Sequence, residues 1–251
     1  MKKHAIVLGF LLCLVFPGLT LAQADRRAEA NALLGQLTSS SQVERIHAAK
    51  QISRAGLIDK RLYAEVARQL QAGYATARDP YTVDEMAWLC KALAASGDSG
   101  YRPLLDEVAG RAPNDKLRRY AAQSSSQIEE YAKRVTVMNS SENRDASLSP
   151  EENRLLNMLA SDDLKLTRDA AMKITRRGKT DPKVFDAAAT ALTALLAKNT
   201  DDSLADDTMS WLCKALAASG DRKYAAPLQE VLNQSGSAKV RSYASKALNA
   251  L

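Results

Sequence analysis

The chain is poor in the residues that mark most enzyme and metal sites. Its 251 residues include two histidines, three cysteines, three phenylalanines and two tryptophans. Beyond a leader-like first 24 residues only His47, Cys90 and Cys213 remain of the histidines and cysteines, which falls short of the converging ligands a zinc site needs. His47 lies beside Glu44, Arg45 and Lys50, the composition of a solvated helix face, with no nucleophile and orienting acid to complete a triad. Gly-rich phosphate loops, His-Glu-x-x-His and calcium-loop spacing are absent. β-branched residues are sparse and apolar and polar residues do not alternate, which argues against strands. The expectation is a non-enzyme with no catalytic residue, metal or cofactor.

Charge of one sign is also scarce. The formal net charge is +6, and it is interspersed rather than gathered into a polybasic block for lipid or nucleic acid. Lys2 and Lys3 precede an apolar run from Ala5 to Val15, a Pro17-Gly18 break and the small residues Ala22-Gln23-Ala24. This is the pattern of a secretory signal peptide over residues 1–24, cleaved after Ala24 or Ala22 and bacterial in style. Without it 33 basic face 29 acidic side chains. The apolar run is too short for a stable membrane span. The mature protein is therefore expected in the periplasm, with no nucleic-acid partner.

What is abundant is internal repetition. Trp-Leu-Cys-Lys-Ala-Leu-Ala-Ala-Ser-Gly-Asp runs from Trp88 to Asp98 and again from Trp211 to Asp221, 123 residues later. The same offset pairs Met86 with Met209, Tyr101 with Tyr224, Leu105 with Leu228, Arg118 with Arg241 and Tyr120 with Tyr243. Upstream the offset becomes 122, pairing Leu33-Leu34 with Leu155-Leu156, Ala48-Ala49 with Ala170-Ala171 and Gly56 with Gly178. These matches divide the chain into a first unit over 25–135, a linker over 136–150 and a second unit over 151–251, with Asn139–Pro150 lacking apolar periodicity.

Within each unit, helical periodicity appears in short segments broken at Gly56, Asp79-Pro80 and Ser96-Gly97-Asp98. About six helices per half are expected, paired as hairpins. Met86, Leu89, Cys90 and Leu93 fall at i, i+3, i+4 and i+7, one apolar helical face. Cys90 and Cys213 lie on that face, so buried free thiols are expected. In a continuous stack of three helical pairs they stand on the order of 30 Å apart. Asp162-Asp163 and Asp206-Asp207 read as helix-start acids.

The pattern Leu-Leu, Asp, Val/Leu-Arg, Ala-Ala resembles HEAT repeats. It stands as Leu155-Leu156, Asp162-Asp163, Arg168 and Ala170-Ala171, as Leu104-Leu105, Asp115, Leu117-Arg118 and Ala121-Ala122, and as Leu228, Val240-Arg241 and Ala244. The Ala-Leu-Ala-Ala-Ser-Gly-Asp segment is similar to the phycobilin-lyase-type subclass. Two positions depart: Ala238 replaces the equivalent of Asp115, and Arg45 sits slightly out of register. The resemblance implies an all-α, right-handed α-solenoid of about six HEAT-like hairpins in two duplicated halves. It also implies that the arginine helps to order the turn between paired helices.

Asp84, Trp88, Lys91 and Ala95 share a stripe turned away from the apolar face, as do Asp207, Trp211, Lys214 and Ala218. An acid, an indole and an ammonium in a row form a candidate anchor for a protein or peptide on the concave surface. Alternatively each tryptophan packs between hairpins with its lysine snorkelling past. Tyr120 and Tyr243, beside Arg118 and Arg241, are secondary candidates. The functional expectation is a non-catalytic periplasmic scaffold for an unidentified protein or peptide. The alternatives are an accessory or chaperone to a cofactor-dependent, lyase-like enzyme, and an inhibitor or immunity-type partner of a secreted protein.

Overall fold

A computed structural model describes residues 17–177 and 179–251, with side chains from residue 25 onward. The leader read over 1–24 therefore lies outside the described residues except for the backbone of 17–24, and Gly178 lies outside as well. Among the described residues the chain is all-α, without strands, and no helix is long and apolar enough to cross a membrane.

Seven helices cover the first part of the chain: α1 (Pro17–Leu37), α2 (Gln42–Ala55), α3 (Lys60–Gly73), α4 (Pro80–Ala94), α5 (Arg102–Arg111), α6 (Asp115–Ser126) and α7 (Ile128–Met138). Six follow: α8 (Pro150–Leu159), α9 (Leu164–Arg176), α10 (Pro182–Lys198), α11 (Ser203–Ala217), α12 (Ala225–Gln234) and α13 (Ala238–Ala250). The identical runs place α4 opposite α11 in the duplication, so α1–α6 correspond to α8–α13 and α7 has no counterpart. The side chains of Ser41, Asp59, Asp79, Asn114, Ser149, Asp163, Asp181, Asp202 and Ser237 each accept from first-turn amides of the following helix. After Asp79, Ser149 and Asp181 a proline fills the first turn, where its missing N–H costs nothing. Gly97 and Gly220 take φ of 68° and 64° and end the two copies of the repeated run, as expected from sequence.

The helices pack in two layers. In one, α2 lies on α4 and α4 on α6, while α9 lies on α11 and α11 on α13; α1 and α3, and α8, α10 and α12, cover the other side. Each half buries its own apolar cluster, from Leu33 to Ile128 in the first and from Met138 to Ala247 in the second. Leu89, Cys90 and Leu93 and their copies Leu212, Cys213 and Leu216 are fully buried, each leucine contributing roughly 2 kcal/mol of hydrophobic stabilisation. The two cysteines are free and lie in separate clusters. Burial pushes both thiols up to about 12, far from thiolate chemistry at neutral pH.

How the halves meet follows from α7. Gly97, at the end of α4, lies so close to it that a Cβ there would stand 2.5 Å from Ala132 Cα. Gly56, at the end of α2, abuts the side chain of Met138. From 132 to 138 a helix advances about 9 Å, one interhelical spacing. Helix α7 therefore runs back across the ends of α4 and then α2, towards the N-terminal hairpin. There α8 lies beside α1, where Arg154, 3% exposed, donates from Nη2 to both carboxylate oxygens of Glu29 at 2.6 and 2.7 Å. Lys173 Nζ of α9 donates to Arg54 O of α2 at 2.6 Å.

The segment expected as a linker over 136–150 is shorter in the structure, because α7 continues to Met138 and Pro150 already belongs to α8. Residues 139–149 are tied down by asparagines. Asn139 Nδ2 donates to Gly56 O, Asn157 Nδ2 to Met138 O and Ser140 O, and Asn153 Nδ2 to Asp145 O and Leu148 O.

Candidate functional site: two tryptophan stripes beside one basic cleft

Trp88 and Trp211 are both half-buried at the edges of their clusters. Each indole packs against its cluster and has two cations within 6 Å of its ring. Lys91 of α4 and Lys50 of α2 each place Nζ 5.1 Å from the Trp88 ring. Lys214 Nζ lies 3.9 Å from Trp211 and Arg176 of α9 lies 5.8 Å from it. Lys214 also stands 4.5 Å from Tyr243 of α13, with Lys246 5.4 Å away. In the first half Lys116 lies 5.9 Å from Tyr120. Packing and cation contact coexist at each tryptophan.

The acids of the expected stripes differ. Asp84 is half-exposed. Asp207 bridges three helices, pairing with Lys239 of α13 at 2.9 Å and Arg168 of α9 at 3.6 Å. The Asp206-Asp207 pair was expected at a helix start, but Asp202 caps α11; Asp206 lies in its first turn and Asp207 beyond it. Asp163 does cap α9, as expected. Ala95 is buried where the stripe reading expected an outward position, whereas its copy Ala218 is exposed; α7 crosses the end of α4, and among the described residues nothing equivalent crosses α11.

The turn-ordering arginines obey one geometry. Arg118 Nη1 donates to Ala112 O at 2.7 Å, and Arg241 Nη1 to Ser235 O at 2.6 Å and Gly236 O at 2.9 Å. Arg45, read as out of register, makes the same reach to Ser39 O and Ser40 O at 3.0 and 3.1 Å. In the second half the carbonyl six residues back is met instead by Thr167, whose hydroxyl lies 3.4 Å from Ser161 O. Arg168, the residue assigned this task from sequence, points towards Asp207 and leaves its Nε without a partner.

Between the halves lies a cleft of about 570 Å³. Its walls are α1 and α2 on one side and α8 and α9 on the other. Lys50, Arg54, Lys173, Arg176 and Arg177 line it with His47 and the acids Glu29 and Glu151. Both acids are committed, Glu29 to Arg154 and Glu151 to Arg177. Because Lys50 also touches Trp88 and Arg176 also touches Trp211, the two repeated stripes flank this one cleft. Desolvation, reinforced by the nearby Arg154, brings the Lys173 ammonium down to about 8. Lys91 is lowered as well, first by desolvation and then by Arg54. His47, expected on a solvated face, is exposed at the cleft rim, with its Nδ1 2.9 Å from Gln51 Nε2. Among the described residues no group of three or more histidines, cysteines and acids gathers as a metal site would require.

Sequence reasoning missed Lys50, Arg54, Lys173 and Arg176. They sit among other charged residues on α2 and α9, and no local spacing reports that these helices meet.

No family model and no curated protein matches the chain. Solved structures with a similar course are crystal structures of engineered proteins from the Northeast Structural Genomics Consortium. One is 19% identical with a TM-score of 0.32, covering 88% of this chain and 97% of its own. A second is 17% identical with a TM-score of 0.28, covering 88% and 96%. A third is 16% identical with a TM-score of 0.25, covering 94% and 76%.

Proposed function

We propose that the protein is a non-catalytic binding scaffold that holds a protein or peptide on the layer formed by α2, α4, α6, α9, α11 and α13. One observation carries this reading: the two copies of the tryptophan–lysine stripe flank a single cleft. In this reading each half is a stack of three HEAT-like hairpins of right-handed twist, and the proteins work in the periplasm after removal of residues 1–24. Cleavage after Ala24 retains Glu29, Leu33 and Leu37 of α1, which are the ion pair with Arg154 and the packing under α2. The stripe residues of the site are Trp88, Lys91, Trp211 and Lys214, with Asp84 beside the first; Asp207 acts as a brace between helices.

The test is crosslinking and affinity capture from periplasmic extract with the wild type and with the Trp88→Ala/Trp211→Ala double variant. The scaffold reading expects a defined partner captured by the wild type and lost by a variant that still melts cooperatively. Capture unchanged by the double substitution overturns it. A variant that no longer folds would show packing at these positions; Lys91→Ala/Lys214→Ala, which leaves both indoles in place, then carries the same test.

A further inference from the structure

In the first half α2, α4 and α6 pack in series, and in the second α9, α11 and α13 do so; α9 reaches α2 across the cleft through Lys173 and Arg54. Four of them carry a ring with a cation laid against it: Tyr120 with Lys116, Trp88 with Lys91 and Lys50, Trp211 with Lys214 and Arg176, and Tyr243 with Lys246 and Lys214. Elsewhere on the molecule cations pair with carboxylates, as in Arg61–Asp59, Arg68–Glu65 and Lys183–Asp145. The inner helices also hold such pairs, in Arg45–Glu85, Arg168–Asp207 and Lys239–Asp207, but the cations at the rings and in the cleft stand outside them. Among the described residues Lys50, Arg54, Lys91, Arg176, Lys214 and Lys246 form no ion pair within 4 Å, and Lys173 donates to the carbonyl of Arg54 with Glu151, Glu29 and Asp169 acting on it from further away. An aromatic face holds a cation in place without neutralising it, so the cations of this strip are positioned yet keep their charge free of a direct carboxylate contact, with Asp169 the acid that acts on both Lys91 and Lys173.

We propose that this strip binds an acidic peptide segment, its carboxylates meeting the cations of α4, of the α2–α9 cleft and of α11 in turn; the inference rests on the scaffold reading above. Two features favour a peptide over a nucleic acid. The packed pairs α2–α4 and α9–α11 set their cations about 10 Å apart, and an extended peptide advances about 3.3 Å per residue, so an acid at every third residue matches the step within each half. A polynucleotide carries charge far more densely. It would also stack its bases on aromatic faces, and here those faces already hold the protein's own cations.

Trp88 and Trp211 are the two tryptophans of the chain, so intrinsic emission reports directly on the strip. The full chain would be titrated with a fluorescein-labelled fifteen-residue peptide bearing glutamate at every third position and serine or glycine between. A matched peptide with glutamine in place of glutamate and a single-stranded oligothymidylate serve as comparisons, with anisotropy as a second readout. The expected result is binding of the glutamate peptide with a change in tryptophan emission and no binding of the glutamine peptide. Affinity should fall about tenfold between 50 and 200 mM salt as screening sets in. The Lys50→Gln/Arg176→Gln variant should lose at least tenfold, while Lys60→Gln on α3 changes nothing. Equal binding of both peptides, no binding of either, or tighter binding of the oligonucleotide overturns the proposal. If a periplasmic partner is captured through Trp88 and Trp211 but is indifferent to Lys50→Gln/Arg176→Gln, the scaffold reading stands and the acidic ligand falls.

Discussion

The two halves share an identical eleven-residue run and the same helix order, yet they solve two packing problems differently. Where α2 meets α4, Arg45 and Glu85 form a largely buried pair at 2.6 Å, with Gln42 Nε2 donating to Glu85 Oε2 at 2.9 Å. The equivalent positions where α9 meets α11 are Thr167 and Thr208, whose hydroxyls find carbonyls at Met158, Leu164 and Leu204. At the loop edge, Gly97 is covered by α7, whereas nothing lies within 4 Å of a Cβ placed on Gly220. Duplicated sequence thus preserved the helices, the core face and the Arg118 and Arg241 turn contacts, while the Arg45–Glu85 pair and the docked helix belong to the first half alone.

The largest effect should come from the charged pair. Glu85→Ala leaves the Arg45 guanidinium without its carboxylate and should cost about 3 kcal/mol, against about 1 kcal/mol for Thr208→Ala, as measured by urea unfolding. Transplanting the second half's solution, Arg45→Thr with Glu85→Thr, should recover most of the loss. If Glu85→Ala and Thr208→Ala cost the same, the asymmetry of the two helix contacts is wrong. Next comes the glycine comparison. Gly220→Ala carries only the strain of a left-handed backbone, about 1 kcal/mol, while Gly97→Ala adds a collision with the backbone of α7 and should cost about 2–3 kcal/mol. Equal melting temperatures for the two variants would remove α7 from the end of α4.

The smallest effect is a pH dependence. Lys173 has a folded value near 8 against about 10.4 in an unfolded chain. Between these values the unfolded state binds the extra proton, so stability rises with pH through that window. Below it the charged ammonium costs the fold on the order of 1–3 kcal/mol. Lys173→Met should therefore flatten the rise in melting temperature between pH 8 and 10. A rise as steep as the wild type's would assign it to other groups.

Much of this was legible in the sequence. The Asp163 cap, the glycine stops after α4 and α11, the buried Leu89-Cys90-Leu93 face and the neighbouring Trp88–Lys91 and Trp211–Lys214 couples all follow from spacings within one helix. Three things were not. Arg45 and Glu85 look like solvated charges because each is separated by forty residues from the partner that buries it. Thr167 replaces Arg168 at the turn because a hydroxyl is a weak sequence signal for a carbonyl contact. The return path of α7 rests on Ala132 against Gly97 and Met138 against Gly56, ordinary residues whose partnership is set by tertiary approach alone. That path decides where α9 lands, and with it the cleft that Lys50 and Arg176 share.

The account therefore turns on α2 and α9 being neighbours. Spin labels on Gln51→Cys and Arg176→Cys, two exposed positions on opposite walls of the cleft, measure this directly, since the buried native thiols stay unlabelled. A separation of roughly 10–20 Å, one interhelical spacing plus the reach of the labels, is the expected result. A separation of about 30 Å or more, as when α4 and α6 lie between them in one continuous stack, would contradict it.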